Sequence, residues 1–435
     1  MSDLEAGWAA RDITPPVGVW MGGYWGRPAP AQAVQDSLAA RALVWRVRDQ
    51  IAGVVSLDLI AVTAEMTNRI RRQISVQTGM AVSALMVCCT HSHAGPLTIP
   101  FRGMGTMDAD YIQRVEEETV AAVEHAVEAL VPVAMCWGKA SVEIAENRRC
   151  LRVGNRAASR LSGETVSHWA HVLRFETAEG DLASLVQHAC HPVVLGADNV
   201  DISAEYPGVA VREIKAATGG FAMFVNGACG DINPVHTNAD YAQVEVIGRM
   251  LAASVLDAET VPMTVSSLAS STQPVDLPLQ DPPTRSRAWV IRIRHELGSA
   301  LKALSLPGQV AMQVPRAHRD WARELTRVAG RGGGGGVQPF EVQAIRLGPV
   351  RLVGLEGEIF LRYQLDLEAD SETPLLVCGF ANGCVGYVPT TAEFALGGYE
   401  VDEAYVVYPS VLMLAPKCEA VLRQGIAKVL EAVSD

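Results

Sequence analysis

No two cysteines in this sequence are spaced C-x-x-C, and the nine present (Cys88, Cys89, Cys136, Cys150, Cys190, Cys229, Cys378, Cys384 and Cys418) are scattered and odd in number. That argues against a cysteine-built zinc site or a thioredoxin-type redox motif, and the cysteines read as buried thiols in a reducing compartment. No uncharged apolar run reaches the roughly 18 residues that a membrane-spanning helix needs. The opening MSDLEAGWAARDITPP lacks a basic-then-apolar export segment, so a cytoplasmic location is expected. Cations are in the minority: 36 Lys and Arg against 48 Asp and Glu leave a net charge of -12. Nucleic acids and anionic membranes reward clustered cations, so on this total neither is an expected partner. A small molecule is the expected partner, with no stable membrane insertion, and a homo-oligomer stays open. The glycine run 332–336 is not followed by the Lys-Ser/Thr of a P-loop and reads as a flexible tether.

What is present is ordinary globular material, 49% hydrophobic and 19% charged over 435 residues, enough for a large core. RALVWRVR and IAGVVSLDLIAVT read as strands, 65–77 and 111–130 as helices, and ALMVCCTHSH as an apolar strand ending in polar residues. VLRFETAEGDLASLVQHACH reads as a hairpin turning at Glu179-Gly180-Asp181, and PFEVQAIRLGPVRLVGLEGEIF as another turning at Gly348-Pro349. Strands interleaved with helices predict an α/β fold, a layered mixed β-sheet core flanked by helices. The stretch 260–285, rich in Ser, Pro and Asp, reads as a break leading into a helical insert at about 284–330. The tether then returns the chain to the same sheet, giving one domain over 1–435.

The chemically competent residues sit just past the ends of apolar strands, where α/β sheets gather ligands. Thr90-His91-Ser92-His93 is the first group. Histidines two apart in extended chain point to one side, so one can bind a metal while the other supports it or contacts substrate. His188-Ala189-Cys190-His191-Pro192 closes a second strand, and Pro192 biases His191 away from helix. Gly227-Ala228-Cys229-Gly230-Asp231-Ile232-Asn233-Pro234 is a glycine-rich loop that admits close backbone approach or simply makes a tight turn. Glu356-Gly357-Glu358 follows a third strand, and Gly397-Gly398-Tyr399-Glu400 is a late loop.

Together and in this order, these segments resemble the catalytic domain of the neutral ceramidases, zinc amidases that cleave the N-acyl bond of ceramide. AARDITPP with MGGY is similar to that family's start, THSHAGP to its THTHSGP histidine motif, and Asn147-Arg148 to its Asn-Arg element. CHPVVLG with ISAEYPG resembles its second-histidine block, GACGDINP its glycine-asparagine loop, and LEGEIF its Pro-Gly-Glu-Phe acid motif. ANGCVGYVPTTAEFALGGYE resembles the segment ending in its ligand tyrosine, so the likeness runs from about Ala6 to Glu400. It implies metal ligands His91, His191, Glu358 and Tyr399. His93 would be a neighbouring or substrate-contacting group, and Arg148 would face the substrate carbonyl or the developing oxyanion. Asn233, Gly230 and Tyr387 are the expected substrate contacts, and Asp231, Glu205 and His93 the candidates for general acid or base.

Nitrogen and oxygen donors without thiolate suit Zn2+, with Mn2+ or Fe2+ as alternatives. Such an ion lowers the pKa of bound water to roughly 7 and polarises a carbonyl. The expected reaction is therefore hydrolysis of an amide through a metal-activated water. Asn233 stands where ceramidases carry a serine, and neither an export signal nor their additional C-terminal β-domain is in the sequence. A soluble substrate, smaller and more polar than ceramide, is expected. Two other readings stand beside this one: a metal-dependent lyase or isomerase acting on a sugar-like substrate, and a non-catalytic metal-binding protein.

Overall fold

The structure, a computed structural model, describes residues 3–149, 166–305 and 312–434, so Cys150 lies outside the described residues. Its larger sheet has nine strands. Eight run in the order Phe221–Asn226, Leu182–His188, Trp169–Thr177, Val131–Ser141, Leu4–Asp12, Ala39–Val47, Gln50–Leu57, Leu85–Cys89, and Thr260–Met263 pairs beside Val131–Ser141. Pairing is antiparallel through the middle and parallel at both ends, where Phe221–Asn226 meets Leu182–His188 and Gln50–Leu57 meets Leu85–Cys89. The outermost strands read as unbroken apolar runs because they are covered on both faces; all five residues of Leu85–Cys89 are buried. Helix Ala109–Glu128 lies across Leu4–Asp12 and Ala39–Val47, and helix Glu205–Thr218 packs on Phe221–Asn226. The predicted hairpins form as expected, with Gly180 and Gly348 in the left-handed region at their turns.

A second sheet has four strands, Leu268–Pro278, Val337–Leu347, Val350–Leu355 and Leu375–Cys378, with helix Cys418–Ala432 against its first two. The two sheets share one apolar core: Ile345, Leu352 and Leu376 cluster with Leu85, Met86 and Leu185. The result is the layered α/β architecture that the strand-helix alternation predicts.

One element departs from the sequence reading. The stretch read as a break contains the eleven-residue strand Leu268–Pro278, which pairs along its whole length with Val337–Leu347. It is an edge strand, where Pro274 and the polar Ser270, Ser271 and Gln273 are tolerated because one side needs no ladder partner. Helices Arg285–Ser305 and Gln313–Arg331 are thus inserted between two neighbouring antiparallel strands, and 332–336 leads directly into the second of them.

Candidate metal centre

The ends of the large sheet come together, and Asn226 joins them. Its side-chain amide donates to the Thr90 carbonyl at 3.0 Å and the Cys190 carbonyl at 3.2 Å, while its Oδ1 accepts from the Cys190 N–H at 3.3 Å. One buried amide therefore sets the distance between the two histidine segments. Nothing in the Phe221–Asn226 pattern distinguishes this residue from any strand-terminal polar group.

The THSHAG segment is not extended, contrary to the expectation from its spacing. His91 has φ 68° and its ring stacks at 3.8 Å on Phe380, itself at φ 52°. Left-handed geometry in a non-glycine residue costs about 1–3 kcal/mol and persists where surroundings fix it. Here the His91 N–H donates to the Leu59 carbonyl at 2.9 Å. The turn, rather than pleat alternation, brings His91 Nε2 to 3.1 Å from His93 Nε2. Ring nitrogens of His91, His93 and His191 lie within 4.8 Å of one another.

The second nitrogens define the tautomers. His91 Nδ1 is 2.6 Å from the Ile60 carbonyl, and His191 Nδ1 is 2.6 Å from the Cys229 carbonyl and 3.0 Å from that of Ile232. A carbonyl only accepts, so each Nδ1 carries the hydrogen and, in the neutral ring, Nε2 presents a bare lone pair. His191 Nε2 faces Glu358 Oε2 at 3.0 Å, and His91 Nε2 lies 3.7 Å from the same oxygen. Burial pushes the His91 imidazole down to about 3, which favours the neutral ring. Burial would raise the Glu358 carboxyl, but its contacts with His191 and His91 outweigh that and hold it at about 2. Acceptor lone pairs converging on one another are satisfied by a cation, so the donor set fits a divalent ion.

Sequence reasoning missed Tyr408, whose phenol donates to Glu358 Oε1. The expected phenol, Tyr399, lines the same cavity, with its ring 6.0 Å from that of Tyr387. Tyr408 lies nine residues past Tyr399, in a run (AYVVYP) whose burial reads as packing, so only the fold reveals it.

Arg148 enters the cavity from beside the short pairing of Ala145–Asn147 with Ile232–Pro234. It donates to Glu400 at 2.8 Å, to Asn233 Oδ1 at 3.2 Å and to the Gly230 carbonyl at 2.5 Å, with its guanidinium 5.3 Å from the Tyr387 ring centre. Burial opposes its charge, but Tyr387, Glu400 and Glu358 more than compensate, so it stays cationic. Gly230 is required where it is: a Cβ there would stand 2.4 Å from the Glu358 carbonyl oxygen.

The cavity holds about 330 Å³ and is lined by His91, His93, His191, Glu358, Arg148, Asn233, Tyr387 and Tyr399, among others. Three candidates, Gly230, Asp231 and Glu205, are not among its lining residues. Asp231 accepts from Asn147 at 2.8 Å and from the Leu361 N–H at 2.8 Å, and so braces the loop carrying Arg148. Glu205 accepts from the N–H groups of Leu195 at 2.7 Å and Tyr206 at 3.2 Å.

Residues 4–244 match the family model described as neutral/alkaline non-lysosomal ceramidase, N-terminal. Among solved structures, the crystal structure of neutral ceramidase from Pseudomonas aeruginosa matches with a TM-score of 0.74 at 17% identity, covering 100% of this chain and 76% of that one. A ceramidase complexed with C2 matches with the same score and identity, over 99% of this chain and 76% of that one. These likenesses show the fold. No curated protein sequence matches.

Proposed function

Because the chain belongs to the neutral/alkaline non-lysosomal ceramidase family, and so is a ceramidase-like hydrolase of amide bonds, we propose that it cleaves the N-acyl bond of a small acylated amine with a divalent cation. His91, His191, Glu358 and Tyr399 would hold the ion, zinc being the first candidate. When bound, it would polarise the scissile carbonyl and acidify water.

The protein's own groups divide the remaining work. Arg148, held by Glu400, Asn233 and the Gly230 carbonyl, would stabilise the oxyanion, a contribution of about 3 kcal/mol for a single well-placed donor. His93, whose Nε2 sits 3.1 Å from that of His91, would move the proton between water and the leaving amine. Ile60, Phe101, Met104 and Val407 offer an apolar side to an acyl group, while Asn233, Thr237 and Asn238 offer hydrogen bonds to a polar amine. A cavity of about 330 Å³ suits a compact substrate better than a two-tailed lipid.

The observation that carries this reading is the convergence of the His91 and His191 Nε2 atoms on the Glu358 carboxylate beside a half-buried arginine. Metal analysis of the purified protein, joined to a chelator-controlled screen of amides, esters and glycosides, tests it. Stoichiometric metal and chelator-sensitive amide cleavage are expected, with oxygen from labelled water in the acid product. A turnover product without that label would move the chemistry to a lyase or isomerase.

A further inference from the structure

The net charge of -12 conceals a strongly uneven distribution. Residues 285–331 carry ten of the 36 Lys and Arg but only three of the 48 acids, Glu296, Asp320 and Glu324. These residues include the inserted helices Arg285–Ser305 and Gln313–Arg331, which pack on each other. The second is buried through Trp321, Ala322, Leu325 and Ala329, which is ordinary core. The first is not. Trp289, Val290 and Leu297 are 58%, 60% and 59% exposed. At about 100° per residue these three, with the half-buried Ile293, form one stripe roughly 100° wide. Arg287 and Arg294 border that stripe on one side, Arg285 and Arg292 on the other. Buried Ala288 and Ser299 face the opposite way.

An exposed tryptophan and aliphatic stripe between arginines is the pattern of a helix lying in a lipid-water interface. Arginines alone would serve any polyanion, but desolvating Trp289, Val290 and Leu297 requires an apolar phase behind the anionic layer. We propose that helix Arg285–Ser305 docks the protein onto an anionic lipid surface, with Trp289, Val290 and Leu297 entering the interface and Arg287 and Arg294 meeting lipid phosphates. The position of the insert gives this docking a consequence. The Gln313 side chain accepts from the Gly26 N–H at 2.8 Å, the Trp25 ring lies tilted against that of His318 at 5.5 Å, and Arg102 pairs with Glu324 at 2.5 Å. The insert is thereby fastened to the two loops that carry Tyr24, Phe101 and Met104 of the cavity. A protein seated through this helix would hold its cavity close to the membrane surface, whatever reaction takes place there.

The test is flotation of the full chain with vesicles of phosphatidylcholine mixed with phosphatidylglycerol, against phosphatidylcholine alone, at low and high salt. Expected are binding to the mixed vesicles, weakening with salt, and a loss of at least about tenfold in either of two double variants, Trp289→Ser with Leu297→Ser or Arg287→Glu with Arg294→Glu. All four sites are exposed, so unchanged circular dichroism and melting temperature are expected. Equal binding to neutral vesicles, no binding, or full binding by both folded variants would overturn the proposal. So would a dimer, seen by light scattering, that Trp289→Ser with Leu297→Ser dissociates, because the stripe would then be covered by a second copy.

Discussion

The cavity has one wall from residues 23–238 and another from residues 358–408, and the two differ in what they supply. The first brings three imidazoles and a guanidinium, all neutral or cationic. The second brings a carboxylate and three phenols, and Glu358 is the only acid among the described lining residues. Burial pushes the His91 imidazole down, whereas at Glu358 the contacts with His191, His91 and the Tyr408 phenol outweigh it and hold the carboxyl low. The first wall offers nitrogen donors without negative charge, and the second a carboxylate without nitrogen donors, so the proposed ligand set draws on both.

The most direct way to break this comparison is to neutralise the second wall. Glu358→Gln keeps shape and removes the single negative charge. Loss of bound metal and a fall in amide cleavage beyond about 100-fold are expected, since loss of a mere outer partner already costs up to that much. Elemental analysis and turnover should fall together; metal retained at full occupancy would mean that the imidazoles suffice. Next in size is Arg148→Ala on the first wall. If, as proposed, the guanidinium faces the reacting carbonyl rather than the ion, this should cut kcat by about 10²–10³ while metal content is unchanged. An equal loss of metal would instead make Arg148 part of the scaffold holding Glu358.

A smaller effect separates two phenols of the second wall, Tyr399 and Tyr408. Tyr408 donates to Glu358 and thereby orients the carboxylate, so Tyr408→Phe should weaken metal affinity by about 10–100-fold without changing the fold. If Tyr399 is the ligand that the family motif implies, Tyr399→Phe should exceed that loss. The reverse order, measured by competition with a chromophoric chelator, would transfer the ligand role to Tyr408.

The same two walls explain what was legible in the sequence. His91, His191 and Glu358 each follow an apolar strand within three residues, and strand ends converge in layered α/β folds, so their meeting could be anticipated. Their local geometry could not. The left-handed turn at His91 is imposed by the Leu59 carbonyl and by Phe380, 289 positions away in sequence. Asn226 and Tyr408 act through tertiary contacts with no local signature. Strand Leu268–Pro278 was hidden because an edge strand need not alternate cleanly, and its composition imitates a linker. The anionic total likewise concealed the basic helix, since a sum carries no positions.

The smallest expected effect concerns Glu205, an acid on the first-wall side that, like Asp231, stays out of the cavity. Burial pushes its carboxyl up to about 8, against the pull of the Leu195 and Tyr206 N–H groups. Its ordinary value is 4.5, so between about 4.5 and 8 the folded protein holds a proton that the unfolded chain has released. Stability contributed by this group is therefore complete below 4.5 and declines as pH rises through that window. Glu205→Gln cannot ionise. The variant should lose about 1–3 kcal/mol at low pH from imperfect pairing of the two N–H groups, yet show a shallower decline toward pH 8 in denaturant titrations. Glu356, also pushed up by burial to about 8, leaves part of the slope in place. Because Glu205 does not line the cavity, the pH profile of turnover should keep its shape. A profile that loses one limb in a folded Glu205→Gln would instead make this carboxyl the acid or base of the reaction.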